Sequence, residues 1–147
     1  MALSAIVSAL HVLALAIGLP AIFSRGRALR APLDAAALSR LFAADNAWGL
    51  AALLWIVTGV LRAFGGLEKG TPFYLHSRLF WLKLALFALV FVHELRPMIT
   101  LIQWRGERRR GRMSDTTNAR ALYVITHAEI ALIVVIVFVA AFMARGF

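Results

Sequence analysis

The stretch ALYVITHAEIALIVVIVFVAAFMA, Ala121 to Ala144, decides the fold. A helix that crosses a bilayer needs about 20 mostly apolar residues. This run meets that length, and only Thr126, His127 and Glu129 break its apolar character. Three earlier runs read the same way. Ala2–Phe23 is broken only by His11 and Pro20, Phe42–Phe64 carries Asp45 and Asn46 near its start, and Leu79–Trp104 holds Lys83 and the segment FVHELRP, Phe91–Pro97. No basic stretch precedes Ala2–Phe23, which is also long for a signal peptide, so it reads as a span. There is no strand-like alternation, internal repeat or low-complexity segment. The pattern predicts an all-α fold, an integral membrane four-helix transmembrane bundle forming a single domain over 1–147, with helices at about 2–23, 42–64, 79–104 and 121–144.

Composition agrees. Of the 147 residues, 62% are hydrophobic and 16% charged, and the mean hydropathy is +0.82. The net charge of +9 would suggest nucleic acid as a partner of a soluble protein. Here the basic residues lie between apolar runs, as in cytoplasmic loops, so the implied partner is the lipid bilayer and not nucleic acid. The chain has no cysteine, which excludes disulfides, iron–sulfur clusters and covalent c-type haem.

Loop charge predicts orientation. Arg25, Arg27, Arg30, Arg40, Arg105, Arg108, Arg109, Arg110, Arg112 and Arg120 fall on one side, against Arg62, Lys69, Arg78, Lys83 and Arg145 on the other. The positive-inside bias then places both termini of a multi-pass protein on the outer side of the membrane and the arginine-rich loops in the cytoplasm. In this reading Ser24–Arg40 is a polar connection in which Pro32 opens a short amphipathic turn, GGLEKGTP (Gly65–Pro72) is a turn-rich break, and Arg105–Arg120 is a polar loop.

Charged groups inside a membrane must face the bundle interior or a partner. Helical phasing puts His11 with Ser4, Ser8, Ala14 and Gly18; Asp45 with Trp48, Ala52, Trp55, Gly59 and Arg62; and His93 with Leu86, Leu89, Val90 and Pro97. His127 aligns with Tyr123, Ala131, Val134, Phe138 and Ala141, and Glu129 points about 160° away from it. Counting rise per residue places His11, His93, His127 and Glu129 in one layer, with Asp45 nearer the cytoplasmic rim. Pro97 lacks the N–H that would bond the His93 carbonyl, so a kink is expected there.

This pattern supports three readings. In the first, His11, His127 and His93 supply the axial ligands of a haem b clamped in the bundle, as in a small b-type cytochrome or porphyrin-handling protein. In the second, Asp45, Arg62, Lys83, Glu94, Arg96 and Glu129 form a buried polar network in a non-catalytic accessory or assembly subunit, joined to other membrane subunits or to copies of itself. The third is ion or proton passage. Phosphate-binding glycine loops, HExxH and G-x-S-x-G are all missing, which argues against hydrolytic chemistry.

The segments DNAWGLAALLWIVTGVLRAF (Asp45–Phe64), KGTPFYLHSRLFWLKLALF (Lys69–Phe87), LIQWR (Leu101–Arg105) and MARGF (Met143–Phe147) resemble the DUF2214 family of small four-helix bacterial inner-membrane proteins of unknown function. The matching positions are His11, Asp45, Gly49, Gly59, Arg62, Lys83, Pro97, Arg105, Glu129 and Arg145, and the chain departs from the pattern at His93 and Glu94. The resemblance implies the fold and a location in the bacterial inner membrane, where the outer side that holds both termini is the periplasm. Leu10–His11 and Lys83–Leu84 also show a fainter similarity to the copper-resistance CopD and HemJ-type membrane proteins. That likeness implies His11 as a haem ligand and, were the chain an enzyme, a HemJ-like oxidoreductase. A methionine-rich copper motif is missing.

Overall fold

The computed structural model describes residues 2–146 and is helical almost throughout. Its elements are α1 (Ala2–Arg30), α2 (Ala35–Phe64), a short α3 (Thr71–His76), α4 (Arg78–Arg109) and α5 (Ala119–Ala144). Four of these, α1, α2, α4 and α5, are long and apolar enough to cross a membrane. The expected four-helix membrane bundle is present.

The helices are longer than the apolar runs that announce them. The segment Ser24–Arg40, expected as a polar connection, is instead the end of α1 and the start of α2, joined by only Ala31–Asp34. Two local features account for this. The Asp34 side chain accepts a bond from the Ala37 N–H at 2.7 Å, an N-cap that starts α2 well before the apolar run. Leu29 and Leu41 are buried with Leu101, Trp104 and Leu122, which holds both helix ends in register. At the next connection, Gly70 takes a φ of 82° and Pro72 follows in the first turn of α3. α4 starts at the Ser77 cap and carries Pro97 within its length, its ring buried between helices.

Packing runs α2 to α1, α1 to α5 and α5 to α4, whereas α2 and α4 approach mainly through long side chains. The central core contains Ala14, Ile22, Trp48, Trp55, Val90, Ile130 and Ile133. A smaller cluster of Ala63, Tyr74, Phe80 and Met143 closes the end where α3 lies. Outward-facing apolar residues such as Leu50, Val12 and Phe138 are exposed on the helix flanks, where lipid is as apolar as they are.

The closest helix pair depends on a glycine. A Cβ at Gly18 would sit 3.1 Å from the Cβ of Ala51 and 3.3 Å from the Trp48 ring, whereas one at Gly49 would meet nothing within 4 Å. Gly18→Val should overpack the α1–α2 contact and destabilise the folded protein by about 1–3 kcal/mol. Gly49→Ala should stay within about 1 kcal/mol of the parent. Thermal unfolding in detergent reads both, and equal melting of the two variants would contradict the packing.

Candidate functional site

The most polar place in the bundle is built around Arg25. Its side chain is fully buried, between the central core and the cluster at the arginine-rich end. Nη1 and Nη2 grip Glu94 as a fork, at 2.7 Å to Oε1 and 2.9 Å to Oε2. Nη1 also donates to Asp45 Oδ1 at 3.1 Å, and Nη2 donates to Glu129 Oε2 at 2.5 Å. A guanidinium of α1 thus binds one carboxylate from each of α2, α4 and α5. All four of its terminal N–H donors are used, leaving Nε as the unpartnered donor. Glu94 accepts a further bond from Trp48 Nε1 at 3.0 Å, and Arg105 reaches Asp45 Oδ2 at 2.7 Å from the rim. Three carboxyl groups thus meet two guanidiniums.

A second polar cluster lies at the opposite end. Glu68, in the connection before α3, accepts bonds from Arg62 Nε at 2.6 Å, the Ser8 hydroxyl at 2.8 Å and the Tyr74 hydroxyl at 3.0 Å. Burial works against this carboxylate, but the bonds from Arg62, Ser8 and Tyr74 outweigh it and hold Glu68 down from 4.5 to about 2. Burial and the neighbouring carboxylate push the Tyr74 phenol up to about 12.

His11 does not share the level of His93 and His127. His11 Nδ1 lies 2.8 Å from the Thr58 hydroxyl, with its ring over Gly59 and tilted against Trp55. The His127 ring instead packs on Gly26. Along α1, His11 and Gly26 are about 22 Å apart at helical rise. The ring nitrogens of His93 and His127 turn back to carbonyls of their own helices, Leu89 at 2.8 Å and Tyr123 at 2.9 Å. The expected layer is therefore corrected at His11, whereas His93, His127 and Glu129 keep a common level beside Arg25 and Gly26; of these Glu129 is buried and His127, on the other side of α5, is exposed. The reason is cost. An ionised carboxylate is far more expensive to leave in lipid than a neutral imidazole bonded to its own helix.

These residues do not fit a haem clamped between His11 and His127. Two axial imidazoles must face each other across one space, and these two sit at different levels of the bundle. Both cavities beside His11 are lined by no other histidine. No group of three or more metal-ligating side chains occurs among the described residues.

The expected polar network divides. Asp45, Glu94 and Glu129 meet on Arg25, whereas Arg62 belongs to the Glu68 cluster. Arg96 is exposed and joins neither, because two residues from Glu94 is about 200° around the helix. Lys83 is half-buried beside His11. Sequence reading missed Arg25, which was placed in a loop. Its signal was there: Val7, Ala14, Gly18, Ala21 and Arg25 recur at sevens, fours and threes, one helix stripe continuing past Phe23. Glu68 gave no local signal, since Ser8 lies far from it in the chain.

The family of predicted membrane proteins DUF2214 matches residues 3–147, and the chain belongs to it. No curated protein and no solved structure matches the chain, and the fainter likeness to CopD and HemJ-type proteins finds no support there.

Removing one partner from a buried ion cluster strands the others. Arg25→Met should cost about 3–5 kcal/mol or prevent folding, whereas Glu129→Gln, which keeps the side chain's size and leaves Arg25 its other two carboxyl partners, should cost under half of that. Denaturation of the two variants in detergent compares them, and equal losses would show that Arg25 is not the centre of the cluster.

Glu68 should give a pH signature. Its folded-state pKa lies below its ordinary 4.5, so its contribution is fully present above about 4.5 and lost as pH falls towards 2. The stability difference between the parent and Glu68→Gln should be constant from neutral pH to about 5 and shrink below that. A difference that grows on acidification would refute the assignment.

Proposed function

We propose that this member of the DUF2214 family is a non-catalytic accessory or assembly subunit of the bacterial inner membrane, with its buried charges serving to lock four helices together. One observation carries this reading: every terminal N–H of Arg25 is taken by Asp45, Glu94 or Glu129, so the end of the guanidinium is spent on joining helices and not on a substrate. A catalytic cation would instead keep a direction open towards a reacting group. Both termini lie in the periplasm, because Arg27, Arg30, Arg40, Arg105, Arg108, Arg109, Arg110, Arg112 and Arg120 gather at the opposite end of the bundle. Withdrawal of Arg25 into the core leaves that bias intact.

Three readouts test the proposal on the full chain. Purified folded protein should be colourless, a C-terminal reporter that works only in the cytoplasm should be silent, and native electrophoresis of membranes should show the chain in an assembly larger than its 16.2 kDa. A Soret band that shifts on reduction and is lost in His11→Ala would overturn the non-catalytic reading in favour of a b-type cytochrome. Migration as a lone monomer would overturn the subunit role.

A further inference from the structure

The end of the bundle opposite the arginine-rich loops has a feature that the Arg25 lock does not need. Two adjoining cavities there share His11, Trp55, Gly59, Phe80, Lys83 and Ile136. The first, about 220 Å³, reaches Arg62, Glu68 and Lys69. The second, about 170 Å³, is lined by Val60, Phe64, Leu84 and Phe87. It lies between α2 and α4, the neighbours whose backbones stay apart. A polar chamber thus continues into an apolar cleft at the flank of the bundle.

The charges in the chamber are unbalanced. Arg62, Lys69 and Lys83 line it with only Glu68 opposing them. Arg62 uses Nε for Glu68, and its terminal nitrogens have no partner among the described residues. Lys83 lies within electrostatic reach of both Arg62 and Glu68 but forms no ion pair with any described residue. Lys69 is engaged, bonded to the Ala144 carbonyl at 3.1 Å and placed over the Phe73 ring. Lys83 stands five residues into α4, about 8 Å from its start, the depth of a lipid headgroup region.

We propose that this chamber and cleft bind a single anionic phospholipid, its phosphate held by Lys83 and Arg62 and its acyl chain lying between α2 and α4. Charge complementarity selects the headgroup, since two cations with unused donors face an open space. The gap between the α2 and α4 backbones selects the tail, because only an apolar chain can fill a cleft open to lipid without leaving polar groups unsatisfied. The site is independent of the accessory role, and neither result decides the other.

Native mass spectrometry of the full chain in detergent tests it, with short-chain phosphatidic acid, phosphatidylcholine of the same chain length and inorganic phosphate as probes. Phosphatidic acid should fill one site at least tenfold more tightly than phosphatidylcholine. Lys83→Met should remove that preference, as expected for loss of one charge-assisted contact. Arg96→Met, which deletes an exposed charge elsewhere on the same helix, should retain it. Val60→Trp, which fills the cleft and leaves every charge in place, should weaken the lipid without Lys83 being touched. Equal affinity for the two lipids, or a preference that survives Lys83→Met, overturns the headgroup site. Inorganic phosphate binding as tightly as phosphatidic acid, or unchanged lipid binding in Val60→Trp, overturns the acyl cleft.

Discussion

A guanidinium in an apolar bundle must be matched by carboxylates or not be there at all. Desolvating Arg25 costs several kcal/mol, and that cost is offset only while Asp45, Glu94 and Glu129 stay within 3.1 Å of its nitrogens. The three carboxylates arrive on three different helices. Their positions therefore set the register of α2, α4 and α5 against α1 at the same time. Apolar side chains alone would tolerate sliding, since one face of leucines and valines resembles another and lipid supplies no hydrophobic drive for association.

Around this centre the polar residues divide by depth. Asp45 also meets Arg105 at the rim, linking the buried cluster to the arginine-rich end. Beyond the central apolar layer, Glu68 gathers Ser8, Arg62 and Tyr74 and ties the connection before α3 to α1 and α2. The two clusters have opposite balances. The inner one has more carboxyl groups than guanidiniums and uses all four terminal donors of Arg25, whereas the outer one has an excess of cation and leaves Lys83 and part of Arg62 unengaged.

The bundle is also uneven around its circumference. α1 packs against both α2 and α5, and α5 packs against α4, but the fourth contact is loose. Gly18 and Gly26 explain part of this, since α1 approaches Trp48 and Ala51 on one side and His127 on the other where side chains are smallest. No such glycine draws α2 towards α4, where Trp55 and Phe87 meet edge to face with centroids 6.0 Å apart. Bulky rings at that seam keep the backbones apart and leave the cleft.

Class and number of spans were legible in the chain, because hydrophobic length is a local property and each apolar run carries its own signal. Asp45, Glu94 and Glu129 were legible as interior residues for the same reason: a charge within a span must be matched wherever the helix points. Their common partner was not. Arg25 sits past the apolar run of α1, where composition alone resembles a loop, and only the N-cap at Asp34 and the Leu29–Leu41 contact carry the helices far enough to bury it. Phasing placed Glu129 and His127 on opposite sides of α5, but sequence alone did not say which side faced inward. Tertiary structure decided that, through the unequal cost of leaving a carboxylate or an imidazole in lipid.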